Sequence, residues 1–176
     1  MKGARRDRRA GGKPIEHIGR DIRAEIRTKA TPQEAYDAWA DPEKIAPWFP
    51  DRAEGKAESG RTITWILDKF NYRIPYEVLI ARPGEKFAIR WNPPPGMNPG
   101  ILEVTISKEG GETVVRLVNS GFREGAEWND EFEGIDSGWR MSLALLPLLA
   151  HLLSRRAAAA APASNGPWPR FSSSEQ

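Results

Sequence analysis

The spacing of the apolar residues constrains this chain more than any other feature, because it changes once, near residue 121. Before that point, apolar and polar residues alternate in several short segments, which is typical of β-strands with one buried face. After it, apolar residues recur every three or four positions, as on one side of a long helix. Such a sheet face and such a helix stripe bury each other. The sequence therefore predicts an α+β domain in which one final helix covers an antiparallel sheet.

The alternating segments predict the strands of this sheet. They are residues 21–29, 62–67, 72–81, 86–91, 101–107 and 113–120, with a further strand near 51–58. In the segment 72–81, alternation places one set of residues on a common face: Tyr72, Ile74, Tyr76, Val78 and Ile80. Pro75 lacks the N–H that a sheet needs, so we expect this strand to lie at an edge or to contain a bulge. Gly110-Gly111 predicts a hairpin, and the close spacing of the strands indicates an antiparallel meander.

Two helix starts follow the first strand. Thr31 is followed by Pro32 and Glu34, which is the pattern of an N-cap, a proline at the first helical position and a capping box. Asp41 and Pro42 repeat the cap and the proline. We therefore expect two short helices, the second ending near residues 48–50.

One apolar stripe predicts the final helix. Its members are Phe132, Ile135, Trp139, Leu143, Leu146 and Leu149 or Leu153. A helix of about 22 residues reaches about 33 Å, which is enough to cross a sheet, and Pro147 predicts a kink within it. The composition then predicts one domain at residues 15–153 between two disordered tails. The first is the basic segment 1–14, and the second is the Ala-, Pro- and Ser-rich segment 154–176.

The charge distribution bears on partners and location. The net charge is +2, and the first 13 residues hold six basic side chains and one acidic one, so the central part of the chain is acidic. An acidic body matches a phosphate backbone poorly, and we expect no nucleic-acid partner. The start of the chain lacks the apolar run of an export signal, and the apolar run 143–153 is shorter than the ~20 residues that cross a bilayer. We therefore expect a cytoplasmic protein without stable membrane insertion.

The residue types also exclude several kinds of chemistry. The chain has no cysteine and only two histidines, His17 and His151, so we expect no disulfide, no metal centre and no cofactor. The sequence contains no G-x-S-x-G nucleophile motif and no phosphate-binding P-loop, and we assign no catalytic residue.

An acid–base site built from Tyr76, Glu77, Arg90 or Glu103 is the one catalytic arrangement that stays open. Alternation places the three charged residues on the outer face of their strands. Cross-strand ion pairs explain them better, and we expect a protein that is not an enzyme.

The order of elements and several motifs resemble the helix-grip fold of START-like proteins (the SRPBCC superfamily). Within it, the chain is most similar to the bacterial family related to the C-terminal domain of the activator of the heat-shock-protein-90 ATPase. The matching motifs are residues 30–39 (ATPQEAYDAW), Asp41-Pro42, Trp48-Phe49, residues 119–122 (NSGF), Trp128, Gly138-Trp139 and the Leu-rich final helix. Together they cover roughly residues 18–153 in the right order.

This resemblance implies an apolar cavity between the curved sheet and the helix, in which relatives bind lipids, polyketides or other small hydrophobic molecules. Some relatives catalyse cyclisation or hydrolysis, so a polyketide cyclase-like or hydrolase-like enzyme is the first alternative. A co-chaperone-like interaction domain is the second, although the tail 1–14 is much shorter than the separate N-terminal domain of the chaperone activator. A homodimer through a sheet edge or the long helix also stays open.

Large aromatic residues are the candidates for the cavity wall, because they give rigid apolar surfaces. The cavity-lining candidates are Trp48, Trp65, Tyr76, Trp91, Phe122, Trp139 and Leu143. The plainer alternative is that these residues only fill the core. Met97, in the proline-rich loop 92–100, could act as a lid contact. The sequence thus predicts binding of a small hydrophobic molecule, such as a lipid, a polyketide or an aromatic metabolite.

Overall fold

The alternating segments form one antiparallel sheet of seven strands, in the order β1-β7-β6-β5-β4-β3-β2. The computed structural model describes Ile15, His17, residues 19–93 and residues 99–160. The strands are β1 (Arg20–Thr28), β2 (Arg52–Gly55), β3 (Thr62–Leu67), β4 (Tyr72–Arg82), β5 (Lys86–Trp91), β6 (Gly100–Glu109) and β7 (Glu112–Phe122). The helices are α1 (Pro32–Ala40), α2 (Pro42–Ile45) and α3 (Asn129–Ala160). The curved sheet with a long final helix confirms the predicted α+β helix-grip architecture.

Both short helices begin where the cap residues predict. The Thr31 hydroxyl accepts a hydrogen bond from the Glu34 backbone N–H at 3.2 Å, and the Glu34 carboxylate accepts one from the Thr31 N–H at 2.7 Å. Asp41 caps α2 by accepting from the Glu43 N–H at 3.0 Å. These bonds satisfy N–H groups that a helix start leaves free, so the local sequence fixes where α1 and α2 begin.

The strand β4 departs from the predicted pattern. It lies between β3 and β5, so the edge position predicted from Pro75 is wrong. The strand does contain a bulge, because the pairing with β5 shifts between Val78 and Ile80. Pro75 lies outside this bulge: it pairs regularly with Thr64 of β3, and the pairing with β5 starts one residue later, at Tyr76. The extra residue reverses the alternation, and Ala81, which pairs with Phe87, packs against the core in place of Ile80.

The core lies on the concave face of the sheet, where α1 covers β5, β6 and β7. Trp39 of α1 is fully buried, and the Tyr36 ring meets the Phe87 ring edge-on with centroids 6.2 Å apart. Charged residues occupy the opposite face, where Arg116 pairs with Glu25 and Glu109 at 2.9 and 2.7 Å. The sequence alternation therefore separates an apolar concave face from a charged outer face.

The helix α3 is longer than predicted. It runs from Asn129 to Ala160, so the domain end that we placed at residue 153 falls inside this helix. The kink predicted at Pro147 and the division into one domain with two tails stay predictions. Met97 and most of the tail residues lie outside the described residues. None of the described helices has a stretch that is long and apolar enough to cross a membrane.

Candidate functional site

A cavity of about 610 Å³ lies between the concave face of the sheet and the N-terminal half of α3. Strands β3 to β7 supply the sheet side, α3 supplies Ile135, Gly138 and Trp139, and the segment after α2 supplies Phe49. The strands present their inward residues here because of the same alternation that builds the core. The cavity thus occupies the part of the concave face that α1 does not cover.

Aromatic rings in mutual contact form one wall of the cavity. The Phe49 ring stacks on the Trp139 ring with centroids 4.9 Å apart and an interplanar angle of 20°. Phe49 also meets Trp65 edge-on at 5.0 Å, and Trp65 contacts Tyr76 at 4.7 Å. Such contacts hold each ring in place, so the wall is a preformed apolar surface.

A hydrogen bond fixes the helix side of the cavity to the sheet. The Trp139 indole Nε1–H donates to the Asn119 Oδ1 at 2.9 Å, and the Asn119 amide donates to the Ile101 carbonyl at 3.2 Å. Both halves of this amide are therefore occupied by the protein. The bond ties α3 to β7 beside the cavity.

Arg20 fixes the start of α3 in a second place. Its guanidinium donates to the Arg123 carbonyl and to the Asn129 Oδ1, both at 2.8 Å, and lies over the Phe132 ring at 4.4 Å. Phe132 in turn meets Phe122 edge-on at 5.3 Å. These contacts tie the first turn of α3 to β1 and β7 and hold that end of the cavity.

The surface of α3 that faces the cavity is open at Gly138. Apart from its two chain neighbours and the backbone of the helix, no heavy atom lies within 4 Å of the position that a Cβ on Gly138 would take. A glycine inside a helix costs about 1 kcal/mol relative to alanine. Gly138 is exposed and lines the cavity, so it leaves this side of the cavity open at the expense of helix stability.

The polar groups of the wall are few. Burial, with a smaller contribution from Tyr72, raises the pKa of the Tyr76 phenol well above its usual range. The hydroxyl therefore stays protonated and able to donate. Arg123 and Glu131 supply charge at the edge of the cavity, and Arg123 lies over the Trp128 ring at 3.8 Å. In the part of the chain that the structure describes, no group of three histidine or acidic side chains could hold a metal ion.

The structure brings five of the seven cavity-lining candidates together. They are Trp65, Tyr76, Trp91, Phe122 and Trp139. Trp48 and Leu143 lie instead in the packed core. The indole N–H of Trp48 donates to the Ala38 carbonyl at 2.9 Å, which turns this ring towards α1, and Leu143 follows Trp139 by one helical turn, beyond the cavity.

Sequence reasoning missed Phe49 as a wall residue. Phe49 follows Trp48 directly and precedes Pro50. The two neighbouring rings contact each other at 5.9 Å. Trp48 also packs on Trp39 in the core, whereas Phe49 packs on Trp139 and Trp65. The sequence shows Trp48 and Phe49 as neighbours. Because they lie outside any helix or strand, no periodic pattern indicates which of the two rings lines the cavity.

The charged residues that could have formed an acid–base site lie on the outer face. Arg90 pairs with Glu77 at 2.6 Å, and Lys86 pairs with Glu103 at 2.7 Å. The two residues of each pair belong to neighbouring strands, as in cross-strand ion pairs. None of these four residues is among those that line the cavity.

Comparison with protein families identifies the class. The family described as "Activator of Hsp90 ATPase homolog 1-like protein" matches residues 29–150. The match covers most of the chain, and the chain belongs to this family. Among curated proteins, none matches.

Several solved structures have a similar fold. Protein MLL2253 from Mesorhizobium loti is 21% identical, with a TM-score of 0.65 over 77% of this chain and 98% of its own. The Aha1 dimer from Colwellia psychrerythraea is 18% identical, with a TM-score of 0.62 over 72% of this chain and 92% of its own. CalU16 from Micromonospora echinospora is 21% identical, with a TM-score of 0.59 over 79% of this chain and 81% of its own. At this identity, the likeness concerns the fold.

Proposed function

We propose that this protein binds a small, largely apolar molecule with aromatic character in the cavity between the sheet and α3. The observation that carries the proposal is the cavity itself, about 610 Å³ in volume and walled by rings that contact one another. Ligand sites in proteins commonly have volumes of about 300–1,000 Å³, with mostly apolar walls and a few polar groups. The fold supports the proposal, because it leaves this cavity between the sheet and α3.

Gly138 and Gly134 give the experiment a matched pair of variants. Both lie on α3, and a Cβ at either would meet no heavy atom within 4 Å beyond the chain neighbours and the helix backbone, but only Gly138 lines the cavity. Replacement by leucine raises the helix propensity equally at the two positions. A difference in ligand binding between Gly138→Leu and Gly134→Leu therefore reports occupation of the cavity.

The measurement is a fluorescence titration with the neutral probe N-phenyl-1-naphthylamine. We expect saturable binding to the unmodified protein. The Gly138→Leu variant should weaken it about tenfold or more, because the leucine occupies space that the probe needs, whereas Gly134→Leu should stay within about twofold. Absence of saturable binding, or equal loss in both variants, would contradict the proposal. Native mass spectrometry of freshly purified protein tests the same point by revealing a co-purified small molecule.

The other expectations from the sequence stay predictions. Nothing in the described residues favours a cyclase-like or hydrolase-like enzyme or a co-chaperone over binding. A homodimer could form through the apolar side chains of Met141 and Leu145. They lie four residues apart on α3 and are 70% and 45% exposed. Sedimentation velocity checks the homodimer, and cell fractionation checks the cytoplasmic location.

A further inference from the structure

The two edges of the sheet differ in how well they could accept another strand. The edge strand β2 has four residues, whereas β1 has nine and pairs regularly with β7 from Ile22 to Thr28. In the part of the chain that the structure describes, no strand pairs with the other side of β1. The N–H and C=O groups on that side are therefore a template on which a further strand can form.

Just before β1, the chain lies over the neighbouring strands and not over this edge. The Nδ1 of His17 is 2.9 Å from the Ser120 hydroxyl on β7, and its Nε2 is 3.7 Å from the Glu103 carboxylate on β6. On the concave face, Ala24 and Ile26 are partly exposed, although both pack against the core. A second strand beside β1 would cover these two side chains.

The outer face of β1 carries four charges that alternate in sign: Asp21, Arg23, Glu25 and Arg27. Arg23 pairs with Asp21 at 2.6 Å and Arg27 pairs with Glu25 at 3.3 Å, so the four side chains lie on the same face. Charged residues on an edge strand usually discourage pairing with another chain. An alternating row is different, because it can meet an antiparallel copy of itself without placing like charges together.

One antiparallel register brings every one of these charges opposite its counterpart. When Ala24 faces Ala24 of a second copy, Asp21 faces Arg27 and Arg23 faces Glu25, each twice by symmetry. A register centred on Arg23 or on Glu25 instead places that residue opposite itself. Opposite charges across a strand pair are favourable and like charges are unfavourable. The charge pattern therefore selects the register centred on Ala24.

The same register suits the concave face of the strand. It places Ile22 opposite Ile26 of the second copy, again twice by symmetry. Facing β-branched side chains pack well in a sheet. Both faces of β1 therefore favour the same pairing.

We propose that two copies of this protein pair along β1, antiparallel about Ala24, and so join their sheets into one continuous sheet. This gives the homodimer predicted from the sequence a definite interface. Backbone hydrogen bonds supply the affinity and the charges select the register, since each charge already has a partner in its own chain. Because β1 lines no part of the cavity, the interface is independent of the proposed function.

Sedimentation velocity between about 1 and 500 µM measures the association. A single pair of strands is a small interface, so we expect a weak dimer that forms as the concentration rises. Arg23→Glu and Glu25→Lys should each weaken it about tenfold or more, because each places like charges opposite each other at both symmetric positions. An equimolar mixture of the two variants should dimerise again, because every facing pair between them has opposite charges.

A single introduced cysteine tests the register directly, because the chain has no cysteine of its own. Ala24→Cys places two thiols opposite each other, with Cα atoms about 4.5–5.5 Å apart, a distance that a disulfide can span. Thr28→Cys is the matched control. Thr28 is also partly exposed on the same face, but its two copies lie about 27 Å apart in this register. Mild oxidation should give a covalent dimer with Ala24→Cys and none with Thr28→Cys.

A monomer at every concentration would overturn the proposal. So would a dimer that Met141→Lys abolishes and Arg23→Glu leaves unchanged, because that dimer forms through α3. The register is wrong if the mixed variants stay monomeric while both are folded by circular dichroism, or if Thr28→Cys cross-links as readily as Ala24→Cys. Glu25 also pairs with Arg116, and if Glu25→Lys does not fold for that reason, the cysteine variants decide the register.

Discussion

The two ends of the concave face use similar aromatic side chains with opposite results. At one end, α1 places Tyr36 against Phe87 of the sheet, and Phe87 is fully buried. At the other end, α3 contributes Gly138 to the wall that also contains Trp65 and Tyr76, and a cavity of about 610 Å³ remains. Aromatic residues on a sheet close into a core only where the covering helix supplies matching volume. The covering helix, more than the sheet, therefore decides which end is packed and which is open.

The largest expected effect is a difference in stability between the two ends. Phe87→Ala should lower the free energy of unfolding by about 3–5 kcal/mol, because it removes a ring from a closed core and leaves a void. Tyr76→Ala should cost about 1–2 kcal/mol, since that ring already borders open space. Urea denaturation of both variants gives the two values. Equal losses would show that the two ends are packed alike.

Two glycines that line the cavity should respond to alanine with opposite signs. Gly121 has a φ of 101°, and a Cβ there would lie 2.5 Å from the Pro99 carbonyl oxygen. We expect Gly121→Ala to destabilise the protein by about 1–3 kcal/mol, because the backbone is strained for any L side chain. Gly138→Ala should stabilise it by up to about 1 kcal/mol, because alanine favours the helix and the site is open. Thermal unfolding measures both, and destabilisation by Gly138→Ala would mean that α3 packs closely there.

The smallest effect concerns the outer face, where charge matters more than volume. Hydrogen bonds from Arg116 and Ser107 lower the pKa of Glu109 from 4.5 to about 2. Because the folded state holds the carboxylate ionised, its stabilising effect is complete above pH 4.5 and is lost as the pH falls towards 2. The Tm difference between the natural protein and Glu109→Gln should therefore be greatest near neutral pH and shrink over this window. Added salt should reduce it at neutral pH, and a difference that is independent of pH would contradict this assignment.

Sequence reasoning succeeded where a pattern acts over a few residues. The Thr31 and Asp41 caps, the strand Lys86–Trp91 and the hairpin at Gly110-Gly111 were all predicted in place. It failed at Ile80, because the bulge reverses the alternation and pairing with β5 decides the register. The wall residue Phe49 escaped because its orientation depends on Trp139, which is distant in the sequence.

By itself, the sequence determined the class of fold, the order of its elements and the separation of an apolar from a charged sheet face. Those follow from hydrogen bonding and periodicity along a short stretch of chain. The tertiary structure alone decided which rings border the cavity and which belong to the core. These depend on how far α1 and α3 stand from the sheet, and that distance is set by the packing of side chains that are remote from one another in the chain.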